Sequence, residues 1–264
     1  MTPLTKREIK DIKSLASKKG RTQKNLFIVE GVRAIEEGGR HNRFPECLYC
    51  VEAGLSERER KLVAGLRLRN IRVSAIDPAQ LRSISATETP SGLLGIFPKV
   101  LTSTDELLGG GYRRVLLCDG IADPGNLGTL MRSALAFGFD GLITDERTAD
   151  PFASKVVRSS AGAIFGLGIG RAAAEDIMGG LSNRAGSLIV ADLRGRPLPK
   201  RVGRGLAGQP LILALGAEAA GISEALLREA DRIWRVPQRE AVESLNVAMA
   251  GSIIMHRLFE DDKE

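Results

Sequence analysis

The sequence predicts an α/β fold in two parts, a small N-terminal α/β domain and a larger domain with a mostly parallel sheet. Short apolar runs recur along the whole chain, and each is bounded by turn residues. Helical patterns occupy several of the gaps between these runs, as the crossovers of a parallel sheet require. Residues 99–112 lack strong periodicity and contain three consecutive glycines, which predicts a linker between the two parts.

The N-terminal part begins with a predicted amphipathic helix. Thr5 and Glu8 can form a capping box at its start. Apolar residues then follow at helical spacing, namely Ile9, Ile12 and Leu15. Further helices are predicted at 31–38, from Ser56 and after Pro78, and strands at the runs FIVEG, LYCV, IRVSAI and GLLGIF.

A basic loop, SKKGRTQKN, is predicted between the first helix and the run FIVEG. It places four cations around a glycine, namely Lys18, Lys19, Arg21 and Lys24. Such a loop can contact RNA phosphates, although an ordinary solvated loop explains the same residues equally well.

Composition limits the class of protein. A chain of 264 residues with 43% hydrophobic content can bury a sizeable core. Its net charge of +6 suits a polyanionic partner. No apolar run approaches the roughly 18 residues that a membrane helix requires, and the N-terminus lacks an apolar signal core. We therefore expect a cytoplasmic protein with no membrane partner.

Cysteine usage fits a reducing compartment, because three cysteines are an odd, sparse set. Cys47 and Cys50 form a C-x-x-C pattern with His41 nearby. A second ligand pair at zinc-like spacing is missing, so no metal is expected. A strand that carries small apolar thiols explains the pattern instead.

The C-terminal part contains the strand-like runs VLLCD, GLIT, SLIVAD, LILALG and RIWRVP. Ligands of parallel sheets gather at the carboxyl ends of the strands. Three segments follow such ends: DPGNLGTLMRSALAFG at 123–138, LGAEAAGIS at 215–223 and VPQREAVESLNVAMAG at 236–251. These segments are the candidate site.

The first segment makes a tight entry into a helix. Asn126 and Arg132 can reach outwards or into a cleft from it, and glycine-rich helix starts often bind anions. Neither this segment nor GLGIG at 166–170 has the G-x-G-x-x-G spacing of a dinucleotide site, which argues against a nicotinamide-dependent oxidoreductase.

The other two segments combine close-packing glycines with polar side chains. Gly216 and Gly221 permit close backbone approach, and Glu218 is either a buried carboxylate or a loop charge. Ser244 is a good helix cap. Asn246 is predicted inside the first helical turn, where asparagine is a mediocre helix former, so a role in a cleft competes with an incidental polar position.

Taken in order, the three segments resemble the signature motifs of the SpoU (TrmH-like) family of SPOUT RNA ribose 2′-O-methyltransferases. NLGTLMRSALAFG resembles the first motif, LGAEAAGIS the second, and VP followed by SLNVAMAG the third. SSAGAIF at 159–165 also fits the family. Upstream, FIVEG and ETPSGLLGI resemble the L30e-like substrate-binding domain that often precedes this catalytic domain.

The resemblance implies a C-terminal trefoil knot, S-adenosylmethionine as cofactor, RNA as partner and a homodimer with sites beside the dimer interface. The implied cofactor-binding residues are Leu215, Gly216, Val236 and Leu245. The implied catalytic and RNA-facing residues are Asn126, Arg132, Glu218, Ser244 and Asn246. The implied domains are an L30e-like domain at 1–98, a linker at 99–112 and a SPOUT domain at 113–264. Small residues should let the last helix pass close to other backbone, namely Ala248, Ala250 and Gly251.

The implied reaction is direct transfer of a methyl group from the sulfonium to a ribose 2′-hydroxyl. A guanidinium, with a pKa above about 12, is hard to deprotonate, so we expect Arg132 to act by positioning and electrostatics rather than as a base. The L30e-like domain favours ribosomal RNA as substrate, with transfer RNA as the alternative. The rival from another class is a catalytically silent RNA-binding or ribosome-assembly protein. The third motif departs from the family pattern at Gln238 and Glu240.

Overall fold

The computed structural model describes residues 4–201, 209–218, 220–239 and 244–261, and it confirms the α/β fold class. Glu240, where the third motif departs from the family pattern, lies outside these residues. The chain divides into two compact units. The first unit comprises Met1–Val100 and Phe152–Phe165, and the second unit comprises Leu101–Pro151 and Gly166–Glu264.

Helices and strands alternate along the chain. The helices are α1 (Lys6–Ser14), α2 (Lys18–Lys24), α3 (Val32–Arg40), α4 (Glu57–Leu68), α5 (Pro78–Ile84), α6 (Thr104–Leu108), α7 (Pro124–Ala136), α8 (Ser154–Ser159), α9 (Ala174–Ser182), α10 (Glu224–Glu229) and α11 (Val247–Asp261). The strands are β1 (Leu26–Glu30), β2 (Cys47–Cys50), β3 (Arg72–Ala75), β4 (Leu93–Pro98), β5 (Arg114–Asp119), β6 (Gly141–Thr144), β7 (Gly168–Arg171), β8 (Ser187–Pro197), β9 (Leu211–Gly216) and β10 (Arg232–Arg235). None of the helices in the described ranges is long and apolar enough to cross a membrane.

The first unit is built on a four-stranded mixed sheet in the order β1-β4-β2-β3. Strand β4 runs antiparallel to both neighbours, and β2 and β3 run parallel. The capping box predicted at the start of α1 is confirmed, since the Glu8 amide donates to Thr5 Oγ1 at 3.2 Å and the Glu8 carboxylate accepts from the Thr5 amide at 2.9 Å.

Residues 152–165 belong to the first unit, although the sequence places them within the range 113–264. The reason is aromatic packing. The ring of Phe152 lies edge-on to Phe27 at 5.1 Å between centroids, and Phe165 lies 4.8 Å from Phe97. A segment distant in sequence thus completes the first unit's core, and no local periodicity announces such a contact.

The predicted basic loop is wrong, because its residues form helix α2. Arg21 is 3% exposed, and its Nη1 donates to the carbonyls of Leu15 and Ala16 at 2.9 Å. It thereby satisfies backbone acceptors after the end of α1 and is not available to RNA. Lys24 pairs with Asp11 at 2.8 Å. Lys18 and Lys19 are exposed.

The C-x-x-C pattern lies in strand β2. Both Cys47 and Cys50 are buried and free. Because side chains alternate along a strand, residues three apart point to opposite faces of the sheet. The two thiols therefore pack as small apolar side chains and do not converge. The described residues contain no cluster of three or more metal-ligating side chains.

The second unit contains a six-stranded sheet in the order β10-β8-β9-β5-β6-β7, in which every described ladder is parallel. Strand β7, which includes part of GLGIG, was not predicted. Its glycines are required by neighbours, since a Cβ at Gly168 would meet the Tyr112 ring at 2.5 Å and one at Gly170 would meet Leu107 at 2.5 Å. The predicted linker contains helix α6, which buries Leu107 and Leu108 in the second unit's core.

The strand order reverses beside β5. From β5 the chain adds β6 and β7 on one side, and then β8, β9 and β10 on the other. Asp119 at the end of β5 is in register with Gly216 at the end of β9. The loops that follow these two strands therefore leave the sheet side by side in opposite directions, which is where open α/β sheets form ligand crevices.

Helix α11 packs on α7 beside this crevice. The hydroxyls of Ser133 and Ser252 are 2.7 Å apart. A Cβ at Gly251 would lie 2.6 Å from the Leu215 side chain and 2.7 Å from that of Leu130. A small residue is therefore needed at this position, but its close neighbours are side chains and not the backbone that the sequence predicted.

Candidate active site

Three of the predicted catalytic side chains meet at the carboxyl edge of the second unit's sheet. Glu218 Oε1 accepts from Asn126 Nδ2 at 3.0 Å and from Asn246 Nδ2 at 2.7 Å. Asn246 Nδ2 also donates to Asn126 Oδ1 at 3.0 Å. We call these residues the polar triangle. Each comes from a different one of the three sequence segments, so the fold brings the segments to one place.

Asn246 is the N-cap of α11 and does not lie inside its first turn as the sequence predicted. Its carbonyl accepts from the Ala250 amide at 3.0 Å. Its Oδ1 accepts from the amides of Ala248 and Met249 at 3.0 and 3.3 Å. Asparagine is among the best caps, and here capping also fixes which way the amide points. The Nδ2 group must then face Glu218 and Asn126.

A similar cap positions the other asparagine. Asp123 is the N-cap of α7, and its carboxylate accepts from the Asn126 amide at 2.8 Å. Pro124 occupies the first helical position, where its missing amide costs nothing. The D-P-G-N stretch is therefore a helix start that presents Asn126 to the edge of the sheet.

A cavity of 530 Å³ opens beside the triangle, within the second unit. Its lining includes all four predicted cofactor residues, Leu215, Gly216, Val236 and Leu245. Glu218 and Ser244 of the predicted catalytic set also line it, and Asn126 and Asn246 adjoin it through Glu218.

Gly216 shapes the wall of this cavity. A Cβ there would lie 2.3 Å from the Ile222 amide nitrogen and 2.4 Å from the Gly221 carbonyl. The Gly221 amide donates to the Ala217 carbonyl at 2.8 Å, and Gly221 has φ of +69°. The loop therefore folds back onto β9 only because Gly216 lacks a side chain and Gly221 can adopt a left-handed conformation.

Arg132 is not brought to the triangle within its own chain. It is exposed on α7 and makes no hydrogen bond or ion pair among the described residues. It lies six residues after Asn126, which is about 9 Å along a helix axis and on a different face.

The sequence did not identify the ion-pair chain that holds the neighbouring loops. Arg147 pairs with both Asp119 and Asp145, and the second of these distances is 2.8 Å. Asp119 Oδ2 also accepts from the Ser223 amide at 2.7 Å, which ties the loop after β9 to β5. The available signal was a carboxylate at the end of the apolar run VLLCD, because a buried acid must be paired.

Asp145 is the most heavily bonded acid of this chain of contacts. Its Oδ1 accepts from the Gly120 and Thr148 amides at 2.9 Å and from Thr148 Oγ1 at 2.5 Å. Burial raises the pKa of Asp145, but hydrogen bonds from Thr148, Gly120 and Arg147 together hold this pKa below the ordinary value.

A second ion-pair group stands at the cavity wall. Arg194 donates to both carboxylate oxygens of Asp192, at 2.8 and 3.1 Å, and to Glu224 at 2.9 Å. These bonds raise the pKa of Arg194, first through Asp192 and then through Glu224. Nothing in the run ADLRGR indicated this arrangement.

A parallel sheet with a crevice at its reversal point, a cavity there and a hydrogen-bonded set of polar side chains form a site for a small molecule, and similar proteins identify its class as SPOUT. The SpoU rRNA Methylase family matches residues 113–256, and the MRM3-like substrate binding domain matches residues 6–95. The chain belongs to the SpoU rRNA methylase family and is an S-adenosylmethionine-dependent RNA ribose 2′-O-methyltransferase. The trefoil knot that the family implies stays a prediction.

Similar proteins support this assignment over nearly the whole chain. The 23S rRNA (guanosine(2553)-2′-O)-methyltransferase RlmP of Bacillus subtilis is 30% identical over 95% of both chains. The 23S rRNA (uridine(2479)-2′-O)-methyltransferase of Streptomyces viridochromogenes is 30% identical over 92% of this chain and 85% of its own length.

Solved structures agree. The AdoMet-bound rRNA methyltransferase of Sinorhizobium meliloti superimposes with a TM-score of 0.83 at 27% identity, covering 96% of this chain and 95% of its own. The SpoU methyltransferase AviRb of Streptomyces viridochromogenes in complex with AdoMet superimposes with a TM-score of 0.82 at 26% identity, covering 97% of this chain and 98% of its own.

The cavity fits S-adenosylmethionine by size and by charge. Its 530 Å³ lies within the range of about 300–1,000 Å³ usual for small-molecule sites. Its lining carries both signs of charge, with the carboxylates of Asp192, Glu218 and Glu224 and the guanidinium groups of Arg194 and Arg235. The ligand likewise carries a sulfonium, an ammonium and a carboxylate group.

Proposed function

We propose that this protein methylates a ribose 2′-hydroxyl in 23S ribosomal RNA, with the polar triangle and the adjoining cavity as its active site. The observation that carries the proposal is the convergence of Asn126, Glu218 and Asn246 beside a cavity lined by the predicted cofactor residues. The substrate class is supported by the similar proteins, two of which are named as 23S rRNA 2′-O-methyltransferases.

When bound, S-adenosylmethionine supplies an activated methyl group on its sulfonium. Leu215, Gly216, Val236 and Leu245 hold it in the cavity. Glu218 Oε1 already accepts from two amide groups, so Oε2 is the oxygen that can accept the ribose hydroxyl. This bond orients the hydroxyl, and holding the reactants in a productive geometry supplies a large part of the acceleration. Ser244, at the cavity wall, positions the adjoining phosphate.

We propose a homodimer formed through the outer faces of α7 and α11. Exposed residues of α11 recur at helical spacing from Asn246, and they include Met249 at 65% and Ile253 at 43% exposure. Two large apolar side chains on one stripe beside a catalytic centre are typical of an interface. Arg132, exposed on the neighbouring helix, then lies beside the partner and acts by charge on the substrate.

In this proposal the first unit supplies the remaining RNA contacts. The whole protein acts in the cytoplasm. Lys18 and Lys19 are the members of the predicted cationic set that are exposed and form no ion pair with any residue in the described ranges. The match of residues 6–95 to a substrate binding domain supports this role.

The proposal is tested by mapping methylation on ribosomal RNA. Wild-type protein, S-adenosylmethionine and a 23S transcript should yield one ribose 2′-O-methyl site, detected as a stop of reverse transcription at low nucleotide concentration. Glu218→Ala should abolish the stop while the protein stays folded. Methylation of a transfer RNA pool with none on 23S RNA would contradict the substrate, and cofactor binding without methylation of either RNA would contradict the activity.

A further inference from the structure

Two short segments of the second unit are rich in positive charge. Residues 193–201 and 232–239 together carry seven Arg or Lys and no Asp or Glu. The net charge of the whole chain is only +6. Within the second unit, these two segments therefore carry an uninterrupted excess of positive charge that suits a polyanion.

The fold places the two segments side by side at the carboxyl edge of the sheet. In the parallel ladder of β8 and β10, Arg196 is in register with Trp234 and Pro197 with Arg235. The Leu198 amide continues the pairing by donating to the Arg235 carbonyl at 2.8 Å. Neighbouring strands lie about 4.8 Å apart, so the two segments adjoin at this edge of the sheet. Because register partners share a face and successive residues alternate, Arg196 and Arg235 leave opposite faces of the strand pair and flank the edge from both sides.

Four exposed cations stand along this edge of the sheet, and we call them the rim strip: Arg196, Lys200, Arg235 and Arg239. Their side chains have no hydrogen bond or ion pair to any residue in the described ranges. Several other arginines of the second unit are engaged, since Arg147 and Arg184 pair with acids and Arg171 donates to backbone carbonyls. A run of unpaired cations repels itself and gains most from a ligand with repeated negative charge.

The rim strip borders the cavity. Arg235 itself lines the cavity, as do Val236 and Gln238, which precede Arg239. Arg194, two residues before Arg196, stands in the same wall. A ribose is flanked by phosphates in its own strand, so an RNA that presents a 2′-hydroxyl to this cavity brings phosphates to its rim.

We propose that the rim strip binds the phosphodiester backbone of the substrate RNA next to the methylated nucleotide. The inference rests on the proposed function, and it assigns to the catalytic unit an RNA surface distinct from Lys18 and Lys19. Phosphate contacts fix the register of the RNA without reading its sequence, so the strip supplies affinity and placement.

Salt dependence is the test, because each phosphate contact displaces counterions. The equilibrium constant for binding to a 23S transcript is measured from 50 to 300 mM KCl for wild type and for the triple variant Arg196→Gln, Lys200→Gln, Arg239→Gln. The slope of log K against log salt should fall by about 2 to 3, at roughly 0.7–0.9 per contact. Affinity near 150 mM should fall roughly tenfold or more. These three residues do not line the cavity, so calorimetric affinity for S-adenosylmethionine should stay at the wild-type value.

A matched pair controls for net charge. Arg196→Gln and Arg228→Gln each remove one exposed cation from the second unit, but Arg228 lies in the last turn of α10, which leads to the opposite edge of the sheet. Only Arg196→Gln should weaken RNA binding and lower the slope. Equal effects of the pair, or a triple variant with wild-type affinity and slope, would overturn the proposal. If the triple variant fails to bind S-adenosylmethionine, its RNA affinity is set aside. The comparison of Arg196→Gln with Arg228→Gln then tests the proposal by itself.

The two proposals fail separately. Wild-type protein that methylates the transcript, together with an unaffected Arg196→Gln variant, would refute the rim strip and leave the function intact. Wild-type protein that binds but never methylates RNA, together with an Arg196→Gln variant that binds RNA more weakly, would refute the proposed function and leave the rim strip intact.

Discussion

Asn246 shows how one side chain can both start a helix and build a catalytic site. Its Oδ1 accepts from two amides of α11, and its Nδ2 donates to Glu218 and Asn126. The amide cannot flip without losing both sets of bonds. The geometry of the polar triangle is therefore locked by the folding of α11.

Asn246→Asp separates these two roles. Aspartate caps helices as well as asparagine does, so the unfolding temperature should change little. The introduced carboxylate would face Glu218 across 2.7 Å, however, and the lost donor should slow methyl transfer by about a hundredfold. Because two adjacent carboxylates share a proton as pH falls, the defect should shrink in acid. Single-turnover rates at pH 5.5 and 8 measure this, and a normal rate at pH 8 would refute the role.

Gly216→Ala tests the backbone contact beneath the cofactor cavity. The added Cβ would meet main-chain atoms of Gly221 and Ile222, which cannot move as a side chain can. The loop that carries Glu218 must then shift, and calorimetry should show at least a tenfold loss of S-adenosylmethionine affinity, on the scale of about 1.4 kcal/mol. Gly179→Ala is the control, because a Cβ there meets no atom within 4 Å. Unchanged affinity in the Gly216 variant would contradict this account.

At the scale of single residues, the sequence indicated the site but not its supports. Asn126, Glu218 and Asn246 were identified because the three segments that contain them resemble the family motifs in the same order along the chain. Arg21 was misread, because a basic run gives no sign that one cation is turned inward to satisfy the end of α1. Asp119 and Arg147 were missed because their pairing joins the ends of two strands and is set by the sheet alone.

At the scale of elements, periodicity predicted most helices and strands of the chain. It failed where packing partners decide the structure. Strand β7 is rich in glycine and looked like a loop, yet Tyr112 and Leu107 fill the space that its missing side chains leave. Residues 152–165 join the first unit through Phe152 and Phe165, so deletion of residues 1–98 would remove Phe27 and Phe97, the rings they pack against.

The loops after β5 and β6 depend on an ionised Asp145, which predicts how stability changes in acid. The folded-state pKa of this carboxyl is depressed below its unfolded value of about 3.9, so its stabilising contribution is present above that pH and is lost as pH falls through the folded pKa. Asp145→Asn should lower the free energy of unfolding by roughly 1–3 kcal/mol at pH 7. The difference in free energy of unfolding between Asp145→Asn and wild type should become smaller below about pH 4. Urea titrations at pH 7, 5, 4 and 3 measure the free energy of unfolding of both proteins. A difference between them that stays constant across these pH values would contradict the role of ionised Asp145.

At the scale of the whole molecule, the order of strands explains why three distant segments form one site. The chain reverses direction across the sheet beside β5, so the loops after β5 and β9 are neighbours. Asp119 and Gly216 are in register although their numbers differ by 97. Fold class was predictable because runs and gaps are local features. The place of residues 152–165 in the first unit was not, because it depends on contacts between residues far apart in the sequence.

The position of Arg132 leads to a prediction about the assembled protein. Arg132 contacts none of the other predicted catalytic residues described in its own chain, and it lies on the face proposed to meet a second copy. If each Arg132 serves the partner's triangle, a dimer of one Arg132→Lys copy and one Glu218→Ala copy keeps one site with both groups intact. Two differently tagged copies, co-expressed and purified through both tags, should then transfer methyl groups at about half the wild-type rate. Either variant alone should be about a hundredfold slower, since lysine keeps the charge but loses the planar fork. Met249→Asp should abolish the dimer and this rescue together, as light scattering would record. A mixed dimer no faster than its parents would place Arg132 at the site of its own chain.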